Sequence, residues 1–171
     1  IASLNATAQS PATFAFSQAI YIATTPVEVG MNGVIELTLK NTGTQPTGNL
    51  PTFQTVGDSE FKVIAAGTCV SGSPLGGNGM CTILVRFSPA SYGAKSDSVI
   101  VSASPGGTAM ATLQGTGQKT FTLTVANSGA TGTDKLTSSD GFINCGNGAT
   151  ACSHSYAVTN DPPPQPTITP M

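Results

Sequence analysis

Two close-set cysteine pairs, Cys69 with Cys81 and Cys145 with Cys152, and a single histidine, His154, carry most of the reactive chemistry in this sequence. The first pair brackets a Gly/Ser/Pro stretch with an Asn78-Gly79 turn and no core-building run, so a disulfide is the simplest reason for thiols at both ends. Four reduced, buried thiols are the alternative. A zinc site drawn from Cys69, Cys81, Cys145, Cys152 and His154 is disfavoured, because the spacings match no C-x2-C knuckle. Disulfides persist in oxidising compartments, so the bonded reading points outside the cell.

Hydrolytic chemistry would need a Ser-His-Asp or Cys-His arrangement built around His154, whose plain alternative is an exposed strand or turn residue. No G-x-S-x-G elbow, P-loop or G-x-G-x-x-G follows a strand-like run. The closest acid pairs are Asp58 with Glu60 and Asp134 with Asp140. Asp58 and Glu60 stand two apart, where both carboxylates could reach one calcium ion, or simply line a solvated loop; no D-x-D-x-D-G density accompanies them. Sugar-binding sandwiches stack their ligands on aromatic rings, and here Tyr21, Tyr92 and Tyr156 lie in different segments of a chain without tryptophan. A Lys–Asn cross-link is discounted because Lys40 falls on an outward position. The expectation is a chain with no catalytic centre, no cofactor and no metal.

The elements that hold these residues must be strands. From Cys81 onward, Cys81, Ile83, Val85 and Phe87 fall on one face of an extended chain and Thr82, Leu84 and Arg86 on the other. Ile35, Leu37 and Leu39 alternate in the same way after Asn32-Gly33, a pair suited to a two-residue hairpin turn from Val27-Glu28-Val29. Asn41-Thr42-Gly43 closes that strand. Leu50 to Val56 holds a short strand, Phe61 to Ile64 another, Asp97 to Ala103 a third after Tyr92-Gly93, and Thr108 to Leu113 a closing one after Pro105-Gly106-Gly107. Near the start, Phe14, Phe16 and the run Ile20 to Thr25 before Pro26 favour short strands over a helix. Phe121, Leu123 and Val125 open a second alternating pattern among threonines.

Only 8% of the 171 residues are charged while 39% are hydrophobic, against about 25% charged in an average soluble domain. Such a chain builds a core and draws its solubility from Ser, Thr, Asn and backbone, which suits work outside the cell. A net charge of −2 with scattered Lys and Arg offers no basic stripe for nucleic acid. No apolar run is long enough to span a membrane. Ile1 is not an initiator methionine, so a signal peptide or a longer chain is expected upstream. The sequon Asn5-Ala6-Thr7 is read as a chance triplet.

Seven or eight short strands separated by turn signals, without a helical period, read as an all-β sandwich over residues 1–117. A small disulfide-stapled partial β module follows at 118–160, and Asp161 to Pro166 begins a Pro-rich connector over 161–171. The expected core is Ile35, Leu37, Leu39, Phe61, Ile83, Val85, Phe87, Val99, Val101 and Leu113.

The order Asn41-Thr42-Gly43, Phe61, Cys69, Leu75, Gly79 to Pro89, Tyr92-Gly93 and Leu113-Gln114-Gly115-Thr116-Gly117 resembles the choice-of-anchor D type of bacterial surface domain over about residues 34–117. The resemblance implies an immunoglobulin-like, PapD-like β-sandwich, related to the Hydin-type modules. The family's compact opening is spread out here, with Phe16-Ser17 and Val29-Gly30 far apart. Farther on, Ser138 to Gly146 and Cys152 to Tyr156 resemble the opening half of a small repeat domain of bacterial surface proteins; the Trp-bearing second half is missing, so the module reads as truncated. The expected function is that of a non-enzymatic, extracellular structural or adhesion module of a bacterial surface or secreted protein, a spacer, stalk or protein-interaction unit. Its expected partners are neighbouring modules of the same polypeptide, surface proteins or glycans, with no nucleic acid. The alternatives are an accessory carbohydrate-binding module of a secreted hydrolase, and a hydrolase centred on His154.

Overall fold

The computed structural model describes residues 8–57, 60–64, 67–126, 134–160, 163 and 165–170, and every regular element among them is a β-strand. In chain order these are β1 (Phe14–Phe16), β2 (Ile20–Ile22), β3 (Val27–Glu28), β4 (Gly33–Asn41), β5 (Gln54–Thr55), β6 (Phe61–Ile64) and β7 (Met80–Phe87). Then come β8 (Gly93–Ala103), β9 (Gly107–Thr124), β10 (Lys135–Ser138), β11 (Asn144–Gly146), β12 (Ala149–Ala151), β13 (Ser153–Val158) and β14 (Ile168–Pro170). The strand β1 leads one sheet in the order β1-β4-β7-β6. A second sheet is built on β8 and β9, with β5 beside β8 and with β2 and β3 laid parallel along β9. The two sheets face each other as an all-β sandwich.

Period-two alternation explains the packing. Ile35, Leu37 and Leu39 of β4 pair with Val85, Ile83 and Cys81 of β7, so all six point to the same side. They meet Val99, Val101, Ala111 and Leu113 from the second sheet in one continuous core. All ten residues expected in the core are buried there.

Tyr21 closes the open edge between the sheets. Its ring is buried and its hydroxyl donates to the Thr38 carbonyl (3.2 Å) while accepting from the Thr38 amide (3.2 Å), just beyond the point where β1 stops covering β4. At one end of the sandwich the buried carboxylate of Glu60 accepts from the Ala90 amide (2.6 Å) and pairs with Lys95 (3.2 Å).

The structure differs from the sequence reading in three places. First, β3 does not form a hairpin with β4 through Asn32-Gly33; it pairs parallel with Gly117 and Gln118 of β9. Val27 is buried under Gly33, where any side chain would meet the Val27 methyl at 2.8 Å, so the chain crosses between sheets at this point. Second, the strand expected to close at Leu113 runs on to Thr124, and the boundary drawn after residue 117 lies inside it. Gly115 and Gly117 read as terminators, yet they are required by space: a Cβ at 115 would stand 2.6 Å from the Phe87 ring, and one at 117 would stand 2.2 Å from the Ser91 carbonyl. Third, part of the Pro-rich segment returns along the molecule, because β14 pairs with β10 and Ser139 and Thr167 exchange hydrogen bonds. Asp161, Pro162 and Pro164 of that segment, like the Asn5 sequon, lie outside the described residues.

Beyond the reach of β8, the C-terminal part of β9 pairs with β13 from Lys119 to Thr124. The sheet β12-β11-β10-β14 completes this region, with Ile143, Cys145 and Val158 buried. Glu28 fastens the crossover, its carboxylate accepting from the Thr120 amide (2.7 Å) and from the Gln118 side chain (3.3 Å). The sandwich and the C-terminal strands therefore share one 18-residue strand as their spine.

Candidate functional site

Around the one histidine, the turn between β10 and β11 folds over β13. Ser138, at the end of β10, is buried; its hydroxyl donates to Asp140 and accepts from the Ile143 amide (2.9 Å). Asp140 also accepts from the Phe142 amide (3.1 Å) and from the Tyr156 hydroxyl (2.8 Å). Gly141 sits between them at φ +80°, a conformation that glycine adopts without strain. The short polar side chains thus hold the turn by bonding its own amides.

This turn aims an aromatic side chain at the histidine. Phe142 lies flat on His154, with ring centroids 4.1 Å apart and planes within 3°. Tyr156 meets the edge of both rings, 4.7 Å from His154 and 6.3 Å from Phe142. His154 and Tyr156 share a face of β13, opposite Leu123 and Phe121 of β9. Phe121 in turn takes the edge of Tyr92 at 6.3 Å, with the Lys119 ammonium 5.1 Å from its ring centre. The result is a surface ribbon of rings running Phe142, His154, Tyr156, Phe121, Tyr92, with Phe142 54% exposed. A groove of about 320 Å³ beside it is lined by Phe121, Leu123, Tyr156 and Val158 together with Pro163 and Pro166.

Electrostatics follow the hydrogen bonds. Donation by Ser138, helped by Tyr156 and the Phe142 amide, holds the Asp140 carboxyl below its ordinary range against a smaller opposing effect of desolvation. Desolvation first, and then the bond to the Asp140 carboxylate, push the Tyr156 phenol up. A lowered carboxylate contributes stability that is present above the ordinary carboxylate pKa and lost as pH falls through the lowered value. A raised phenol contributes stability present below the ordinary phenol pKa and lost as pH rises through the raised value. The Phe142 amide resonance should therefore titrate in acid with a midpoint below that of an ordinary carboxylate, and Tyr156 should be a late tyrosine to ionise by ultraviolet absorbance in alkali. An ordinary midpoint at Phe142 would mean that the Asp140 turn does not form in solution.

Chemically, the arrangement is a clamped turn under an aromatic cap. A hydrolytic triad needs the imidazole between serine and carboxylate. Here Ser138 goes to Asp140 directly, and the flat of His154 faces Phe142.

The other sequence candidates separate. Cys69 is bonded to Cys81 and Cys145 to Cys152, so the four sulfurs are unavailable as zinc thiolates. The second bond ties β11 to the residue preceding β13. Of the calcium pair, Asp58 lies outside the described residues, and Glu60 already has the Lys95 ammonium against its carboxylate, which opposes a cation there. Asp134 stands just before β10, away from the Asp140 hydrogen bonds. Among the described residues, no group of three or more His, Cys, Asp or Glu is placed to hold a metal ion, and no helix is long and apolar enough to cross a membrane. A groove of about 460 Å³ beside the Cys69–Cys81 bond is lined by Phe53, Val63, Ile83 and other side chains without titratable groups.

Sequence reasoning missed the ribbon. Tyr92 and Tyr156 lie in different segments of the sequence, and Phe121 stands only as the start of an alternating run among threonines. The signal was present in the Phe121/Tyr156 spacing, but only the β9–β13 register makes it legible.

No protein-family model matches the chain, and no curated protein matches its sequence. Among solved structures it is similar to the ASH/PapD-like domain 7 of human CEP192, at 16% identity and a TM-score of 0.46, covering 68% of this chain and 94% of that one. It is also similar to the secreted serine protease VesC of Vibrio cholerae, at 11% identity and a TM-score of 0.40, covering 88% of this chain but only 43% of the protease. A third is the CARDB domain of the Pyrococcus furiosus protein PF1109, at 14% identity and a TM-score of 0.37, covering 67% of this chain and 94% of that one. At these identities and scores the likenesses carry no argument about function.

Proposed function

We propose that this chain is a non-enzymatic, extracellular module of a bacterial surface or secreted protein, acting as a spacer or protein-interaction unit. The observation that carries this reading is how its carboxylates are used. Glu28 fastens the β9 crossover, Glu60 the Ala90 loop, Asp97 the amides of Gly57 and Ser98, and Asp140 its own turn. These four acids, which a catalytic site would use as bases or nucleophiles, hold the scaffold instead. Two disulfides support an oxidising location.

Each closed loop should contribute about 2 to 3 kcal/mol on the chain-entropy account. Chain exported to an oxidising compartment should therefore show no free thiols by intact mass, and its urea midpoint should fall sharply with reductant. Four free thiols in an exported, folded protein would remove the case for an extracellular home.

A second reading, an accessory glycan-binding module, is favoured by the ring ribbon, because aromatic faces stack on the apolar faces of sugars. Retention on a glycan array that Phe142→Ala abolishes would favour it over the first. Phe142 is exposed, so the variant keeps the fold.

A further inference from the structure

The two outer faces of the sandwich differ in charge. Outward positions of the β1-β4-β7-β6 sheet include Glu36, Lys40, Lys62 and Arg86. On the other sheet β8 turns Ser96, Ser98 and Ser102 outward with Ile100, while Lys95 and Asp97 point in. Along β9, Thr108, Thr112 and Thr116 stand outward with Met110 and Gln114. From Ala94 to Ser102 and from Thr108 to Thr116 no outward side chain is charged.

Large apolar side chains stand on this uncharged face. Ile100 and Met110 are direct cross-strand partners, 38% and 61% exposed. Beside them β2 adds Ile20 and Ile22, 47% and 59% exposed, opposite Thr112 and Gln114. Four such residues within three successive rows form a patch, whereas single exposed apolar residues need no explanation.

We propose that this face is a self-association surface on which a second copy of the chain packs sheet against sheet about a two-fold axis. Self-complementarity argues for that occupant. A hydroxyl both donates and accepts, so Ser and Thr rows can satisfy identical rows, as Ser102 and Thr108 already do within the hairpin at 2.7 Å. Ile and Met would meet Ile and Met across the axis, and no like charges would oppose one another. The area suffices for a weak dimer. The 11 residues of β8 make a face roughly 37 Å long, and with the flanking strands roughly 19 Å wide at most. Some 500–700 Å² per partner follows, somewhat below the roughly 800 Å² of a standard interface.

Sedimentation velocity on the purified chain over a wide concentration range tests this. A dimer fraction that rises with concentration and does not fall at high salt is expected, since no charge pairs hold the contact. Met110→Lys combined with Ile22→Lys should weaken dimerisation about tenfold or more, with circular dichroism unchanged because both positions are exposed. Met80→Lys, equally exposed on the charged outer face, should leave it unchanged. A monomer at every concentration, a dimer that salt disrupts, or one that Met80→Lys weakens as much as the double variant would each overturn the proposal.

Discussion

Phe87→Ala should destabilise the protein by about 3 to 5 kcal/mol, the range for removing a fully buried phenylalanine. Phe87 is wholly inaccessible and stacks on Phe61 with centroids 4.6 Å apart. It is also the ring over which Gly115 passes, at 2.6 Å from where a Cβ would stand. Sheet against sheet, nothing nearby can move in to fill the space: the flanking strands are fixed by β4–β7 pairing from Gly33 to Lys40 and by β8–β9 pairing from Gly93 to Ala103. The cavity therefore stays open and the cost falls near the upper end. Urea denaturation checks it, and a change below about 1 kcal/mol would place Phe87 outside the centre of the core.

The second large effect is expected at Asn41. This buried side chain is a knot of four segments. Its Nδ2 group donates to the carbonyls of Gln45 (2.7 Å), Gly76 (3.0 Å) and Leu75 (3.2 Å), and its Oδ1 accepts from the amides of Gly43 (3.0 Å) and Thr13 (3.2 Å). Alanine at this position leaves several backbone groups without partners, each worth about 1 to 3 kcal/mol when water cannot reach it. Because the site is only partly sealed, a total of about 3 to 5 kcal/mol is expected rather than the sum. Asn41→Asp should cost at least as much as Ala at neutral pH, since it keeps the amide-accepting contacts but sets a carboxylate oxygen against the three carbonyls that Nδ2 faces. A change below about 1 kcal/mol in either variant would mean that the Nδ2 bonds do not hold these loops.

Legibility in the sequence tracked whether a residue's role was local. The alternation of Cys81 to Phe87 and of Ile35 to Leu39 fixes strand and inner face by the pleat alone, and those residues are where they were expected. Asn41 looked like a turn residue, because a sequence shows the loop that an asparagine closes and not the two distant loops that it joins. Gly115 and Gly117 looked like terminators for the same reason: their small size answers Phe87 and Ser91, which are far away in sequence. The Asn32-Gly33 pair has the right chemistry for a hairpin, but burial of Val27 against β9 outweighed it. At the candidate site, His154, Asp140 and Tyr156 stand out in the sequence, whereas the other partners that define their roles do not. Ser138 and Phe142 reach them only through the β10–β11 turn, and Phe121 only through the β9–β13 register.

Whether the Ser138, Asp140 and His154 cluster is scaffold or catalyst can be read from one experiment. Incubation with a fluorophosphonate, which labels serines activated by a neighbouring base, should leave the intact mass unchanged, because the Ser138 hydroxyl is buried and already committed to Asp140. A single adduct on Ser138 that disappears in His154→Ala would contradict the scaffold reading and make this turn an active site.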